Sequence, residues 1–360
     1  MKKINFYSGP AILPPEVVVK AGEAIQNFAG TGLSILEISH RSKEFIQVME
    51  EARNLVRELM DLDKDHEVLF LQGGASSQFY MVPMNLLGKD ETACFLETGQ
   101  WAHLAMEEAL TFGKAHIACS SKEENYRFIP KNISLPDSSK YLHLTTNNTI
   151  YGTQLTTSFI SQLAAQSSWL VADMSSDIFS RQMDFNQFDL IYASAQKNVG
   201  AAGITIVVVN KNILGTVDRP IPKMLDYRLH IERDSMYNTP SSFAVYISYL
   251  TLKWIKQQGL KAIEERNIRK ARKLYEVIDS SKIFEGTADD EDQSLMNVCF
   301  TIKDKSLEEK FLKFTSERGI VGIKGYRTVG GFRASIYNAM PEDGVDILVD
   351  AIKEFENKQA

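Results

Sequence analysis

A lysine and an aspartate each follow a strongly apolar run of the chain. Asp173 ends the run 169–173, and Lys197 comes 24 residues later, just after the run 190–193. Lysines are rarely buried without a partner, and burial lowers the pKa of a lysine toward its neutral form. A neutral lysine amine can form a Schiff base with an aldehyde, whereas an ordinary lysine at a strand end stays a solvated cation. The pair indicates either a reactive lysine with a carboxylate nearby or two unrelated polar groups.

A glycine turn earlier in the chain could bind a phosphate. The apolar run 68–71 is followed by Gln72-Gly73-Gly74-Ala75-Ser76-Ser77, and a helical pattern starts at Gln78. A strand, a glycine turn and a helix together aim backbone N–H groups at an anion. The segment matches neither GxGxxG nor GxxxxGK[ST], so a tight connection that needs glycine at positive φ explains it equally well.

These residues depend on a repeated alternation of strand and helix patterns. Strand patterns occur at 68–71, 93–96, 141–144, 169–173, 190–194 and 204–209. Helical patterns between and beside them, such as 44–60 and 102–112, indicate a mostly parallel sheet with helices on both faces. Ligands of such sheets bind at the carboxyl ends of the strands, where Asp173, Lys197, Trp101 and the glycine turn are expected. The fold class predicted is α/β, with three layers.

The chain changes character after about residue 240. Long helical patterns at 243–257 and 260–278 are followed by strand patterns at 296–302 and 332–337 and by helical patterns at 306–318 and 343–355. This α+β part has roughly a hundred residues, the size of a small domain. We predict a large domain over residues 16–255 and a small C-terminal domain over 256–360, with residues 1–15 packing on the small one.

Composition and charge exclude several classes of function. The formal charge of -6 disfavours nucleic-acid binding, so an anionic ligand would need a local cluster of cations. Cys94, Cys119 and Cys299 have no CxxC spacing, which predicts neither a disulfide framework nor a metal site and favours a reducing compartment. No segment has the length of a membrane span or the pattern of a signal peptide. We expect a cytoplasmic protein.

Together, the strand-end residues describe a site for pyridoxal 5'-phosphate. Lys197 would hold the aldehyde of the cofactor as an imine, and Asp173 would keep its pyridine nitrogen protonated, so that the ring accepts electrons. The glycine turn would bind the phosphate, and Trp101 would stack on the ring. Taken singly, an ion-pairing aspartate and a partly buried tryptophan are simpler explanations; their combination favours the cofactor.

Six motifs run from near residue 4 to near the C-terminus: FYSGPA at 6–11, SHRSKEF at 39–45, ADMSS at 172–176, YASAQKN at 192–198, SMYNTP at 235–240 and GGFRASIYNAMP at 330–341. They resemble motifs of the phosphoserine aminotransferases, a family of fold-type I pyridoxal phosphate enzymes. The resemblance implies transfer of an amino group from glutamate to 3-phosphohydroxypyruvate, giving phosphoserine and 2-oxoglutarate. It also implies a homodimer with shared active sites. The phosphorylated hydroxythreonine substrate of vitamin B6 biosynthesis is a further candidate.

The resemblance assigns cofactor contacts by position. It makes Lys197 the Schiff-base lysine, Asp173 the pyridinium partner and Trp101 the stacking ring. It gives Thr149 a hydrogen bond to the phenolic oxygen of the cofactor. The residues expected at the phosphate are Ala75, Ser76 and Gln196, joined by Asn238 and Thr239 from the neighbouring subunit.

The resemblance also assigns a substrate site. Arg333 would bind the α-carboxylate, since a guanidinium can form two parallel hydrogen bonds to it. His40 and Arg41, across the dimer interface, would bind the distal phosphate or γ-carboxylate, together with Arg327. Two positions depart from the family, because Ser76 stands where many members have arginine and Tyr326 where many have histidine. The distal anion site thus has fewer cations than usual.

Other functions stay open from the residues alone. Another fold-type I enzyme could use the same cofactor on a different small amino acid, as a cysteine desulfurase does. Against a desulfurase, the three cysteines all lie in or beside apolar runs. A non-catalytic pyridoxal phosphate-binding protein is the second alternative, although such a protein would have no use for a carboxylate-binding Arg333.

Overall fold

The computed structural model describes residues 3–327 and 329–359; residues 1, 2, 328 and 360, which fall in the predicted N-terminal segment and small domain, lie outside the described residues. The strands are Ile4–Asn5 (β1), His66–Gln72 (β2), Thr92–Glu97 (β3), Lys114–Ser120 (β4), Tyr141–Thr145 (β5), Leu170–Asp173 (β6), Leu190–Ser194 (β7), Ile204–Asn210 (β8), Phe284–Gly286 (β9), Asn297–Ile302 (β10), Ile320–Val321 (β11) and Phe332–Ser335 (β12). The α-helices are Pro15–Gln26 (α1), Lys43–Leu59 (α2), Ala75–Leu86 (α3), Gln100–Ala109 (α4), Thr157–Ala164 (α5), Tyr227–Glu232 (α6), Ser242–Gln258 (α7), Leu260–Asp279 (α8), Glu308–Glu317 (α9) and Glu342–Gln359 (α10).

The largest sheet has the strand order β2-β8-β7-β6-β5-β3-β4. All neighbours from β7 to β4 pair in parallel, whereas β8 is antiparallel to both β7 and β2. Two antiparallel steps restore the direction, so β2 runs the same way as β7. The carboxyl ends of β2, β3, β5, β6 and β7 therefore lie at one edge of the sheet, which we call the carboxyl edge.

The direction of β8 differs from the pattern that its sequence suggests. Its apolar run 204–209 is typical of a parallel strand buried on both faces, yet β8 is antiparallel to both neighbours. The connection 195–203 from β7 is too short for a crossover helix, which a parallel neighbour would need. Helices cover both faces of the sheet, so β8 is buried all the same.

Alternation along each strand divides the core into two layers. On β2, Val68 and Phe70 pack in a core that includes Phe45 of α2, whereas Leu69 and Leu71 pack in a core with helices α3 and α4. Successive side chains of a strand point to opposite faces, so one sheet supports both layers. The predicted three-layer α/β fold with a mostly parallel sheet is confirmed.

Helix α2 begins where its sequence predicts. The hydroxyl of Ser42 accepts a hydrogen bond from the backbone N–H of Phe45 at 3.3 Å and caps the helix. The apolar residues recur every three or four positions and are buried against the sheet. This start places the preceding turn, which carries Arg41, at the surface.

None of the helices within 3–327 and 329–359 has the length and apolarity that a membrane crossing requires.

A second core lies around the small antiparallel sheet β12-β10-β9. The N-terminal segment joins it, because β1 pairs with β11 and Phe6 is fully buried in this core. Helix α7 runs without a break through the predicted domain boundary at residues 255–256. The packing passes from the first core to the second within α8, where Ile263 belongs to the first core and Ala271 to the second. The domain limits stay a prediction.

Replacing Phe311 should destabilise the second core strongly. Its ring is fully buried, with ring centres 4.8 Å from Phe284, 4.9 Å from Phe332 and 5.0 Å from Phe355. We expect Phe311→Ala to lower the free energy of unfolding by about 3–5 kcal/mol, measured by urea denaturation. The exposed Ile347 provides a control, since Ile347→Ala should cost less than about 0.5 kcal/mol. Similar losses for both variants would contradict the packing described.

Candidate active site

A cavity of about 410 Å³ opens at the carboxyl edge of the large sheet. The predicted residues that line it are Ala75, Ser76, Trp101, Asp173, Gln196 and Lys197. They come from the ends of β2, β3, β6 and β7, so the topology brings together residues far apart in the sequence. A larger cavity of about 900 Å³ lies among α1, α2 and α7, and none of the predicted site residues lines it.

Asp173 is buried and Lys197 is half-buried, and both line the same cavity. Burial lowers the pKa of Lys197 below that of a free lysine, and the charge of Arg333 lowers it further, while Asp173 opposes the shift. Burial raises the pKa of Asp173, against the influence of Lys197 and of a 2.9 Å hydrogen bond that the backbone N–H of Ser175 donates to its Oδ1. A cationic ring beside Asp173 would satisfy the carboxylate, and a neutral Lys197 amine can attack an aldehyde.

The glycine turn presents the start of α3 to the cavity. Gly73 and Gly74 have φ angles of +106° and +72°, which side chains rarely allow. A Cβ on Gly73 would also lie 2.7 Å from Ser77 Oγ. No side chain caps α3, and its first residues Ala75 and Ser76 line the cavity. Uncapped N–H groups and the helix dipole suit an anion such as a phosphate. The residues present thus fit pyridoxal phosphate.

Thr149 links the stacking ring to the candidate carboxylate-binding arginine. Its Oγ1 accepts a 3.0 Å hydrogen bond from Trp101 Nε1, and its carbonyl oxygen accepts a 2.9 Å bond from Arg333 Nη1. Because Oγ1 accepts the indole N–H, its own hydrogen is free to donate to a ligand. Arg333 also donates from Nη2 to Ser8 Oγ at 2.7 Å, while its buried Nε has no partner among the described residues.

Other predicted residues do not line the cavity within one chain. His40 and Arg41 lie in the turn before α2, and Arg327 is exposed on the segment before β12. Asn238 lines a separate cavity of about 300 Å³ beside the glycine turn. Next to it, the carbonyl oxygen of Thr239 accepts a 2.7 Å hydrogen bond from Gln72 Nε2. Their roles stay predictions that need a second subunit.

The N-terminal segment contributes groups to which the sequence pattern assigned no role. Ser8 binds Arg333, although the two are 325 residues apart. A Cβ on Gly9 would lie 3.6 Å from the side chain of Lys197, and the backbone N–H of Ala11 donates to the carbonyl oxygen of Gln196 at 2.9 Å. Residues 8–11 therefore form a wall beside the reactive lysine. Their only signal in the sequence is the conspicuous FYSGPA motif.

Without bound cofactor, Asp173 should weaken the fold at neutral pH. Its folded-state pKa is raised by burial, so the stability that it contributes is present below its unfolded pKa and is lost as the pH rises through the folded value. We expect Asp173→Asn to raise the free energy of unfolding of the cofactor-free protein at pH 7, on the order of 1 kcal/mol. The gain should shrink as the pH falls toward about 4.

Urea denaturation at several pH values measures this difference. The exposed Asp218 offers a control, because Asp218→Asn should give no gain at pH 7. Lower stability of Asp173→Asn at pH 7 would show that attraction to Lys197 outweighs burial.

The chain is similar along its whole length to known aminotransferases. The family model described as aminotransferase class-V matches residues 4–348. The phosphoserine aminotransferase of Porphyromonas gingivalis is 53% identical over 366 residues, covering 99% of this chain and 100% of that protein. That of Flavobacterium johnsoniae is 52% identical over 360 residues, with 99% and 100% covered.

Solved structures agree with this likeness. The phosphoserine aminotransferase of Bacillus circulans subsp. alkalophilus superposes with a TM-score of 0.95 at 41% identity, covering 100% of this chain and 99% of that one. A phosphoserine aminotransferase studied for radiation damage of its Schiff base has a TM-score of 0.94 at 43% identity, with 99% and 100% covered. The predicted fold class, enzyme class and cofactor are confirmed, and the chain belongs to the phosphoserine aminotransferases, pyridoxal phosphate-dependent enzymes of class V.

Proposed function

We propose that the enzyme transfers the amino group of glutamate to 3-phosphohydroxypyruvate, giving 2-oxoglutarate and phosphoserine for serine biosynthesis. The observation that carries the proposal is the cavity in which Lys197 and Asp173 face each other, near Arg333. The name of the similar proteins supports the phosphorylated substrate. The phosphorylated hydroxythreonine substrate of vitamin B6 biosynthesis has the same α-carboxylate and distal phosphate, so the same groups would bind it.

The residues of the cavity divide the work of this reaction. Bound pyridoxal phosphate supplies the electron sink for the substrate carbanion. Asp173 would pair with the cationic ring nitrogen, and Ala75, Ser76 and Gln196 would hold the phosphate at the start of α3. Trp101, whose Nε1 donates a hydrogen bond to Thr149 Oγ1, would cover the ring face.

Lys197 moves the proton. Burial lowers its pKa, which favours the neutral form of Nζ; the neutral amine would accept the proton of the substrate Cα and deliver it to the aldehyde carbon of the cofactor. Arg333 binds the α-carboxylate, which holds the Cα–H bond in reach of Nζ. Release of 2-oxoglutarate and the reverse steps with the phosphorylated keto acid complete a ping-pong cycle.

A homodimer would complete the site at both the cofactor phosphate and the distal anion. His40, Arg41, Asn238 and Thr239 do not line the cavity of their own chain, which supports their delivery from a neighbouring subunit. Exposed apolar residues surround the turn at 40–41, namely Leu33, Leu36 and Ile46. A patch of this kind is typical of an interface.

Few cations remain for the distal phosphate. Ser76 and Tyr326 supply none, so we assign the phosphate to His40 and Arg41 of the neighbouring subunit and to Arg327. Lys324 is exposed nearby, with Nζ 3.5 Å from Glu309 Oε1. Because an exposed ion pair is weak, Lys324 can leave Glu309 and turn toward the distal phosphate of the substrate.

We also place the protein in the cytoplasm. Cys94, Cys119 and Cys299 are all buried and free, as expected in a reducing compartment. The pathway proposed uses small phosphorylated metabolites and needs neither a membrane nor a nucleic acid.

Loss of Lys197 should abolish turnover. Lys197→Ala protein supplied with pyridoxal phosphate, glutamate and 3-phosphohydroxypyruvate should form phosphoserine more than about a thousandfold more slowly than the unaltered enzyme, because the covalent anchor and the base are both lost. Chromatographic detection of phosphoserine measures the rate.

Two comparisons make this result specific. Lys211 follows β8 at the opposite edge of the sheet, so Lys211→Ala should keep full activity. The unaltered enzyme should also prefer 3-phosphohydroxypyruvate to hydroxypyruvate in kcat/KM. Sustained activity of Lys197→Ala would contradict the role of the lysine, and equal use of both keto acids would contradict the phosphorylated substrate.

Mixed dimers can show whether Arg41 acts across the interface. Arg41→Ala and Lys197→Ala subunits, each weakly active alone, are dissociated and reassociated in equal amounts. One site of each mixed dimer then has both defects, and the other has an intact Lys197 and an intact Arg41. We expect recovery of about a quarter of the normal activity, since half the dimers are mixed and one of their two sites works.

The control mixture combines Lys197→Ala with Asp173→Asn. Both defects lie in the same chain's cavity, so every site of every dimer stays impaired and no activity should return. Absence of recovery in the first mixture as well would place Arg41 at the site of its own chain.

A further inference from the structure

Lys270 is a buried lysine whose hydrogen bonds all go to uncharged groups. It lies in α8 and is 0% exposed. Its Nζ donates to the carbonyl oxygens of Ile336 at 2.8 Å, Tyr337 at 2.8 Å and Met340 at 3.2 Å, which we call the carbonyl cage. Buried lysines are rare and usually paired with an acid. The cage therefore calls for a specific explanation.

The cage selects the ammonium form of Lys270. Carbonyl oxygens only accept hydrogen bonds, so three of them need three N–H groups, which only the ammonium supplies. Burial lowers the pKa of Lys270 well below its usual value, and Arg266 adds to this shift while Glu342 opposes it. A neutral Lys270 amine has only two N–H groups, so one of the three carbonyl oxygens would face the lone pair of Nζ. The three contacts hold three backbone carbonyl groups around one Nζ.

The cage belongs to the segment that connects Arg333 to Lys197. Strand β12 carries Arg333, and the chain then continues directly into the cage. Asn338 lies between Tyr337 and Met340 of the cage in the sequence, and its backbone N–H donates to Asn198 Oδ1 at 3.0 Å. Asn198 is the residue that follows Lys197. Asn267, one turn before Lys270 in α8, donates from Nδ2 to Asn338 Oδ1 at 2.9 Å. These groups are all buried.

An amino-acid substrate makes the spacing of this segment important. The carboxylate and the amine of the substrate are bonded to the same carbon. The carboxylate must therefore reach Arg333 while the amine reaches the aldehyde carbon of the cofactor, beside Lys197. The two protein groups must keep this spacing within about 0.5 Å for reaction. We propose that Lys270 is a positioning residue that, through the carbonyl cage, sets Arg333 and Asn338 at the distance from Lys197 that an α-carboxylate requires. This rests on the function proposed for Arg333 and Lys197.

Two reagents separate positioning from general structural support. L-Glutamate needs both its amine and its α-carboxylate bound, whereas O-methylhydroxylamine attacks the same cofactor carbon without a carboxylate. Each reaction is followed by the absorbance of the cofactor in Lys270→Met holoenzyme, and urea denaturation is recorded separately. We expect the second-order rate with glutamate to fall at least about tenfold. The rate with O-methylhydroxylamine should stay within about twofold.

Matched variants make the outcome decisive. Lys273→Met removes a partly exposed lysine of the same helix, whose Nζ lies 2.6 Å from Asp346 Oδ1, and should change neither rate. Arg333→Lys should itself slow glutamate, and Lys270→Met should add little in that background, because both changes remove the same contact. If Lys270→Met does not fold, Lys270→Gln, which keeps two N–H donors, replaces it.

The proposal would be overturned if the Lys270 variant reacted equally more slowly with glutamate and with O-methylhydroxylamine, or if neither rate changed. Failure of the unaltered holoenzyme to react with glutamate, while O-methylhydroxylamine still reacts, would instead overturn the function on which the proposal rests.

Discussion

The opposition of Asp173 and Lys197 in one buried cavity is the interaction on which the rest of the site depends. Burial disfavours the charge on both groups, raising the pKa of one and lowering the pKa of the other. Both groups line the same cavity, where a ligand can reach them. A ligand that brings a cationic ring to the carboxylate and an aldehyde to the amine satisfies both. In the function proposed, Trp101, Thr149 and Arg333 then have to hold only the ring face and the substrate.

The sheet provides this opposition through its topology. Asp173 and Lys197 follow neighbouring parallel strands, β6 and β7, and the glycine turn follows β2, two strands beyond β7. The antiparallel strand β8 lies between β7 and β2 and keeps β2 parallel to β7, so the start of α3 also lies at the carboxyl edge. The same antiparallel step brings Gly203, just before β8, to the cavity wall.

The sequence predicts those parts of the fold and site that local patterns determine. The periodic helix α2, the buried strands and the cluster of strand-end residues all follow from spacing and burial. Strand β4 was missed because it is an edge strand, exposed at Lys114 and Ile117, without a clear apolar run. The direction of β8 depends on the length of a connection, and the contact between Ser8 and Arg333 depends on tertiary packing. A local sequence pattern contains no information on strand direction or on tertiary packing. It also does not show where His40 and Arg41 lie in a dimer.

The uncapped start of α3 also ties the folding of the protein to the supply of its cofactor. Among the described residues, no side chain forms a cap hydrogen bond at the start of this helix, so a phosphate bound there, as proposed, would complete the helix as a cap does. Binding to the folded state alone adds RT ln(1 + [L]/Kd) to the free energy of unfolding. We therefore expect chains made without the cofactor to be less stable and to be degraded sooner. Enzyme abundance would fall together with cofactor level, without any dedicated regulator.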